Sequence, residues 1–172
     1  MLTGKRVAIL VESLYNEFEV WYPYYRLKEE GAEVLRIGSG TQQIYNSKTG
    51  LPVQVDADAQ KVHAADFDAI IVPGGFAPDY LRREPAVVNL VRQMYQEGKV
   101  VAAICHGPWV LASADILQGK RVTSFISIKD DLVHAGARWE DAEVVQDGRL
   151  ITARMPDDLP AFMRAVIAAL AG

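Results

Sequence analysis

Three short, mainly apolar runs constrain the fold of this chain more than any other feature. They are Val7–Val11, Asp68–Val72 and Val100–Ile104, and each is rich in β-branched or small residues. Such runs are typical of strands buried on both faces of a sheet. Helical patterns at 17–30 and 84–97 separate them, and this alternation favours right-handed crossovers. We therefore predict an α/β fold, a flavodoxin-like three-layer sandwich with a mainly parallel central sheet.

The rest of the chain fits the same architecture. The further predicted elements are strands at Glu33–Gly38 and Arg121–Ser124, hairpins at Gln43–Val55 and 143–153, and helices at Gly107–Ala114, at Ile128–Ala135 and from Asp157 onward. The chain has 172 residues, 50% of them hydrophobic, which is enough for the core of one domain. We expect a single domain over residues 1–172.

Three segments follow the predicted strands and should form one site. In open α/β sheets, ligands bind outside the carboxyl ends of the strands. The segments at that edge are Glu12–Glu19, Gly74–Asp79 and Cys105–Pro108. The search for chemistry can therefore concentrate on these residues.

Cys105 is the only cysteine and stands where a strand pattern stops and a helix begins. Small residues at Ala103 and Gly107, with Pro108 in the first helical turn, are typical of the nucleophile elbow of hydrolases. Such a turn is expected to expose the sulfur beside free helix N–H groups and to favour its anion. The alternative is a buried cysteine that packs as a small hydrophobe.

Backbone N–H groups near this turn predict an oxyanion hole. Gly74 and Gly75 allow close approach of the backbone to a ligand, and the His106 N–H follows the cysteine directly, with Gly107 beside it. The Pro-Gly-Gly segment could instead only end a strand. The His106 side chain is a candidate for acid-base work or a simple turn residue.

Two acidic residues are candidates for the same site. Glu19, near the start of the first helix, would have a raised pKa if it is dehydrated, and could then donate a proton. It could equally be an ordinary acid of a first helical turn, and Glu12 and Glu17 compete for the role. Asp79 could orient a histidine, or could cap the short helix after Pro78.

Charge and hydropathy exclude several classes of partner. The net charge is −4, and lysines and arginines are scattered, so no nucleic-acid footprint is present. No apolar run approaches the roughly 20 residues that span a bilayer, and no signal peptide pattern precedes the first strand. A lone cysteine suits the reducing cytoplasm. Part of the aromatic group Trp21, Tyr22, Tyr24 and Tyr25 is predicted to meet another subunit, and the group is not predicted to bind a cofactor.

Nearly the whole chain resembles the ThiJ/PfpI family of the class I glutamine amidotransferase-like superfamily. The segments that carry the resemblance are Tyr22–Gly31, Val72–Gly75, Ala103–Pro108, Ile128–Asp131 and Arg154–Pro160. The resemblance implies a cysteine nucleophile at Cys105, a neighbouring His106, a protonated Glu19, and an acidic third member at Asp79 contributed across a subunit interface. Several members have glutamate at that last position, and Asn16 stands where some members carry another acid.

The family's activities define what the resemblance implies about function. They are deglycation of methylglyoxal or glyoxal adducts on proteins, glyoxalase activity without a metal or glutathione, and intracellular peptidase activity. All begin with addition of a thiolate to a carbonyl carbon. We expect a cysteine hydrolase of the deglycase or glyoxalase type, without cofactor, acting in a stress response on small aldehydes or glycated peptides, as a homodimer or hexamer. Peptidase activity and a non-enzymatic, redox-sensing stress protein or chaperone are the alternatives.

Overall fold

The computed structural model describes residues 1–172 as alternating strands and helices. The strands are β1 (Arg6–Val11), β2 (Glu33–Gly38), β3 (Ile44–Asn46), β4 (Pro52–Gln54), β5 (Ala57–Asp58), β6 (Ala69–Val72), β7 (Val100–Ile104), β8 (Arg121–Val122), β9 (Arg138–Trp139), β10 (Val144–Asp147) and β11 (Leu150–Ala153). The α-helices are α1 (Glu17–Glu29), α2 (Ala77–Leu81), α3 (Pro85–Gln96), α4 (Pro108–Ser113), α5 (Lys129–His134) and α6 (Leu159–Ala171).

Seven strands form the central sheet, in the order β10-β11-β7-β6-β1-β2-β5. All neighbours pair in parallel except β10 and β11, which form an antiparallel hairpin around Gly148. Every residue of β6 and β7 is buried, as their continuous apolar sequences predict. The mainly parallel sheet is confirmed, and it brings the carboxyl ends of β1, β6 and β7 together at one edge.

Helices cover both faces of this sheet. Helices α1 and α6 pack together on one face, where α6 contacts β7, β10 and β11. Helix α3 contacts β6 and β7 from the other face and packs against α4, which packs against α2. The apolar side chains of α3 and α6 that face the sheet are buried, and each contributes roughly 1.5–3 kcal/mol to folding. The three-layer arrangement predicted from the strand and helix alternation is therefore present.

The structure corrects several predicted boundaries. The strand predicted at Arg121–Ser124 stops at Val122 and pairs with β9 in a separate two-stranded sheet. Beyond it the chain turns toward the central sheet, since the Thr123 N–H donates to Thr152 Oγ1 and the Phe125 N–H to the Cys105 carbonyl. The two-residue edge strand β5 was not predicted, because it is too short to show a period. No helix is long and apolar enough to cross a membrane.

Candidate functional site

Cys105 occupies a strained turn between β7 and α4. Its φ angle is +63°, in the left-handed region that side chains other than glycine rarely adopt. Its N–H donates to the Ala153 carbonyl at 3.0 Å and its carbonyl accepts from Phe125 at 2.9 Å, so the neighbouring segments hold this conformation. Strain of this kind costs on the order of 1–3 kcal/mol and persists only where the surroundings impose it. The sharp strand-to-helix turn predicted from the sequence is therefore present.

The sulfur environment differs from the sequence-based expectation. Cys105 is only 8% exposed, so the turn does not leave the residue open to solvent. Burial and the nearby Glu19 carboxylate raise the pKa of the thiol to about 12, although N–H groups of Gly75 and His106 act in the opposite direction. The prediction of an exposed thiol with a favoured anion is wrong for the resting chain. The increase in the thiol pKa that results from lost hydration is larger than the decrease caused by the few N–H groups that face the sulfur.

Glu19 lies beside this thiol and is completely buried. Its Oε2 accepts a hydrogen bond from the Gly74 N–H at 2.6 Å, while Oε1 has no N–H or O–H donor. Burial raises the pKa of Glu19 to about 7, against the opposing effects of the Gly74 N–H, the Cys105 thiol and the charge of Lys48. The dehydration considered for this residue is thus observed, and Glu19 can exchange a proton near neutral pH.

The two competing acids are engaged elsewhere. The carboxylate of Glu12 accepts hydrogen bonds from the Ser13 N–H, at 2.7 Å, and from the hydroxyls of Ser39 and Thr41. Partial burial of Glu17 opposes its ionisation, but hydrogen bonds from Ser47 and Thr49 outweigh burial and lower its pKa to about 2. Neither is among the groups that shift the pKa of Cys105, whereas Glu19 is.

The His106 ring is within reach of the sulfur. Its Nδ1 lies 3.2 Å from Cys105 Sγ, and its Nε2 lies 3.1 Å from Ser127 Oγ. The ring stacks on Phe125 and meets Trp109 edge-on, both at 5.2 Å between centroids. Burial, assisted by the charge of Lys48, lowers the pKa of His106, which favours the neutral imidazole, a form that can accept a proton.

Asp79 makes no hydrogen bond to His106 within this chain. It lies inside helix α2, which Phe76 precedes, so its side chain does not cap that helix. Its carboxylate forms an ion pair with Arg83 and borders a second groove with Leu14, Phe76, Tyr80 and Trp109. The contribution of Asp79 across a subunit interface stays a prediction.

The four predicted oxyanion residues have different roles. The Gly74 N–H is donated to Glu19, and the Gly107 N–H to the Ile104 carbonyl at 2.8 Å. The N–H groups of Gly75 and His106 are the ones directed at Cys105. Gly74 and Gly107 instead provide space, because a Cβ at 74 would lie 2.6 Å from Glu19 Oε2 and one at 107 would collide with the Val72 carbonyl.

A cavity of about 290 Å³ opens beside the sulfur. Its lining residues are Asn16, Lys48, Gly75, Phe76, Cys105, His106, Phe125 and Pro156. No group of three or more His, Cys, Asp or Glu side chains is placed to hold a metal ion. The arrangement combines a thiol, a proton-exchanging carboxyl group, an imidazole and two backbone N–H donors. These groups together can carry out nucleophilic addition to a carbonyl carbon.

Comparison with known proteins decides the family. The model of the DJ-1/PfpI family matches residues 5–169. The chain belongs to the DJ-1/PfpI family. It is 46% identical over 162 residues to a deglycase from Pyrococcus abyssi, covering 94% of this chain and 97% of that protein. It is 40% identical to a putative cysteine protease, YraA, from Bacillus subtilis, covering 94% and 95% of the two chains.

Solved structures of the DJ-1/PfpI family share the fold. The DJ-1/ThiJ/PfpI-like part of a two-domain protein from Anabaena variabilis, which also has a ferritin-like domain, superposes with a TM-score of 0.95 at 43% identity. That match covers 98% of this chain and 48% of the other. Drosophila melanogaster DJ-1beta superposes with a TM-score of 0.91 at 29% identity, covering 99% and 92%.

Sequence reasoning missed three residues of this DJ-1/PfpI site: Lys48, Ser127 and Phe125, the last of which stacks on the His106 ring. Lys48 comes from the β3–β4 hairpin, and Ser127 from the turn before α5. Both reach the site through long-range packing of connecting segments, which no local pattern reveals. The only sequence feature that could have pointed to one of them is the position of Lys48 in the turn of a predicted hairpin.

Proposed function

We propose that this chain is a cysteine-dependent enzyme that acts on carbonyl carbons, with removal of methylglyoxal and glyoxal adducts from proteins or small molecules as its activity. The observation that supports this most is the grouping of Cys105 with His106 Nδ1 at 3.2 Å, the buried Glu19 and the N–H groups of Gly75 and His106. Relatives that are 43–46% identical and are named deglycases support the same activity.

Transfer of a proton from Cys105 to Glu19 would activate the nucleophile. A thiol with a pKa of about 12 is neutral at pH 7, whereas the Glu19 carboxylate, with a pKa of about 7, can accept its proton. Once Glu19 is neutral, it no longer repels the thiolate, and the two N–H groups stabilise the negative sulfur. In the reactive form, Cys105 and Glu19 therefore share a single proton, which is held by Glu19 when the sulfur is ionised.

The first covalent step is addition of this thiolate to the substrate carbonyl. A bond forms between sulfur and carbon, the carbonyl π electrons move to oxygen, and the proton held by Glu19 or delivered through His106 neutralises the oxygen. The N–H groups of Gly75 and His106 would stabilise the oxyanion, each by about 3–4 kcal/mol in the transition state. Net deglycation of a methylglyoxal adduct consumes one water and releases the amine or thiol and lactate, because the aldehyde carbon is oxidised while the adjacent ketone is reduced.

Replacement of the thiol tests this proposal. Cys105→Ala and Cys105→Ser should abolish consumption of methylglyoxal and release of lactate from a glycated peptide, with the circular dichroism spectrum and melting temperature retained. The expected loss is more than a thousandfold, since the nucleophile is removed. Undiminished turnover in a folded Cys105→Ala variant would overturn the proposal.

Peptidase activity is the second candidate, favoured by the 40% identity to the putative cysteine protease from Bacillus subtilis. The same thiolate would attack an amide carbonyl. Casein assayed beside methylglyoxal and a glycated peptide distinguishes the two activities. The non-enzymatic redox sensor stays an alternative, because a thiolate formed by proton transfer to Glu19 could react with peroxide as well as with a carbonyl carbon.

Self-association in the cytoplasm completes the proposal. Helix α1 presents Phe18, Tyr22 and Tyr25 to solvent, and Leu51 lies beside them. A surface of this kind suits a contact with a second copy of the chain as a homodimer or hexamer. Light scattering of the wild type and of Tyr25→Glu tests this, and a monomeric wild type would contradict it.

A further inference from the structure

Lys48 is the only lysine or arginine that lines the cavity beside Cys105. It forms no ion pair with any carboxylate of the chain. Its Nζ lies 5.5 Å from the centroid of the Phe76 ring, which lines the same cavity. An unpaired cation at the wall of a small pocket is an available partner for an anion.

The turn that carries Lys48 is fixed to the active-site edge of the sheet. The Lys48 N–H donates to the Tyr15 carbonyl at 3.0 Å. On either side of it, Ser47 Oγ, at 2.6 Å, and the Thr49 N–H, at 2.9 Å, donate to Glu17. These bonds hold the backbone of the turn in place, and the Lys48 side chain forms no ion pair within the chain.

The charge of Lys48 reaches the reacting groups. It adds to the effect of burial in lowering the pKa of His106, and it opposes the larger effect of burial that raises the pKa of Glu19. On the same wall, Asn16 Oδ1 is used to cap α1, accepting from Phe18 at 3.0 Å and Glu19 at 3.3 Å, so its amide N–H groups are free to donate. The oxyanion donors, Gly75 and His106, face the sulfur itself. The cavity therefore has a second set of donors beyond those needed for the carbonyl oxygen.

We propose that Lys48 is a specificity-determining residue, which binds a carboxylate carried by the substrate next to the carbonyl that Cys105 attacks. The site then prefers anionic aldehydes and adducts to neutral ones of the same size. This inference rests on the proposed addition of Cys105 to carbonyl carbons. A compact carboxylate suits the space, since a cavity of about 290 Å³ has to hold both the reacting carbon and the anion.

Protection of Cys105 from alkylation measures this preference without turnover. Glyoxylate and its neutral amide, glyoxylamide, differ in the carboxylate, and each can add the Cys105 S–H across its aldehyde C=O to give a hemithioacetal without any oxidant. The fraction of Cys105 alkylated by iodoacetamide, followed by mass spectrometry at increasing aldehyde concentration, gives an apparent Kd for each. We expect glyoxylate to protect at roughly tenfold lower concentration, since an ionic hydrogen bond is partly screened at an exposed lysine.

The variants assign the preference to one side chain. Lys48→Met should bring the ratio of the two apparent Kd values close to one, whatever its effect on Cys105 reactivity common to both aldehydes, while Lys48→Arg should retain the preference for glyoxylate. Lys28 is exposed on helix α1 and lies outside the cavity, so Lys28→Met is the matched control and should behave as wild type. Equal protection by both aldehydes in the wild type, or a preference that survives in Lys48→Met, would overturn the role of Lys48 alone. Protection by neither aldehyde would overturn the proposed carbonyl chemistry, and this inference with it.

Discussion

Glu19 and Gly74 are joined by a buried hydrogen bond of 2.6 Å from the Gly74 N–H to Glu19 Oε2. The two residues are 55 positions apart, so this bond connects the start of α1 to the end of β6. It leaves Oε1 without an N–H or O–H donor in a fully buried position. Burial penalises the ionised carboxylate more than the hydrogen bonds from the Gly74 N–H and the Cys105 thiol stabilise it, and for this reason Glu19 retains its proton up to about pH 7.

Replacement of Glu19 by glutamine should change how stability depends on pH. In the wild type, the pKa rises from 4.5 in the unfolded chain to about 7 in the folded one, so stability falls as pH increases between these values. The loss amounts to roughly 3 kcal/mol. Glu19→Gln should remove this slope and unfold at higher denaturant concentration than the wild type above pH 7. Urea titrations from pH 4 to pH 8 give the free energy of unfolding of both proteins at each pH. The prediction is contradicted if the two proteins show the same dependence of this free energy on pH.

Glu17→Gln, on the same helix, is a control because its effect on stability should depend on pH in the opposite direction. The pKa of Glu17 falls from 4.5 to about 2 on folding, so its contribution to stability is present above pH 4.5 and is lost as pH falls toward 2. The variant should be less stable than wild type at neutral pH, and the difference should shrink in acid. The same urea titrations, extended to pH 2.5, check this result.

Alkylation of Cys105 should follow the shared proton of the Cys105–Glu19 pair. The reactive species has an ionised sulfur and a protonated Glu19, and it forms once the first proton leaves the pair near pH 7. The rate of reaction with iodoacetamide in the wild type should therefore rise through about pH 7 and then level off. In Glu19→Gln this step should be absent, and a single titration of the thiol should remain. A wild-type rate that is flat from pH 6 to pH 8 would contradict the shared proton.

The sequence predicts local features of this site better than the environments of its side chains. The turn at Cys105 is evident because Ala103, Gly107 and Pro108 flank it in consecutive positions. Its burial was not predictable, since it depends on Gly74 and Glu19, which arrive from other elements. Ser127 and Lys48 likewise reach the cavity from connections whose paths are set by packing. Short-range patterns thus predict the strands and the turn, whereas burial and long-range hydrogen bonds determine the pKa values.

A methyl group at position 74 should disrupt the site through steric clash with Glu19 and Cys105. A Cβ there would lie 2.6 Å from Glu19 Oε2 and 2.7 Å from Cys105 Cβ, both in a packed interior. We expect Gly74→Ala to lower the free energy of unfolding by about 1–3 kcal/mol and to abolish methylglyoxal consumption. Gly98→Ala is the control, because its Cβ would meet open space and its cost of about 1–2 kcal/mol comes from a φ of +70°. Full activity in Gly74→Ala would show that the Glu19 contact tolerates displacement.

Ser127 should position the His106 ring for proton transfer. Its hydroxyl lies 3.1 Å from Nε2, while Nδ1 on the opposite side of the ring lies 3.2 Å from the sulfur, so the two contacts together fix the rotation of the imidazole. Loss of a hydrogen bond worth about 1 kcal/mol should lower kcat about fivefold in Ser127→Ala, with KM unchanged. Ser127→Thr retains the hydroxyl and should recover most of the rate.

Asp79→Asn tests whether Ser127 or Asp79 orients the His106 ring. Asp79 is ion-paired with Arg83 and does not bond His106 within its own chain, so we expect this variant to keep its kcat. If Asp79→Asn lowers kcat strongly and Ser127→Ala does not, the histidine is oriented by the carboxylate of a neighbouring subunit and the role of Ser127 is refuted.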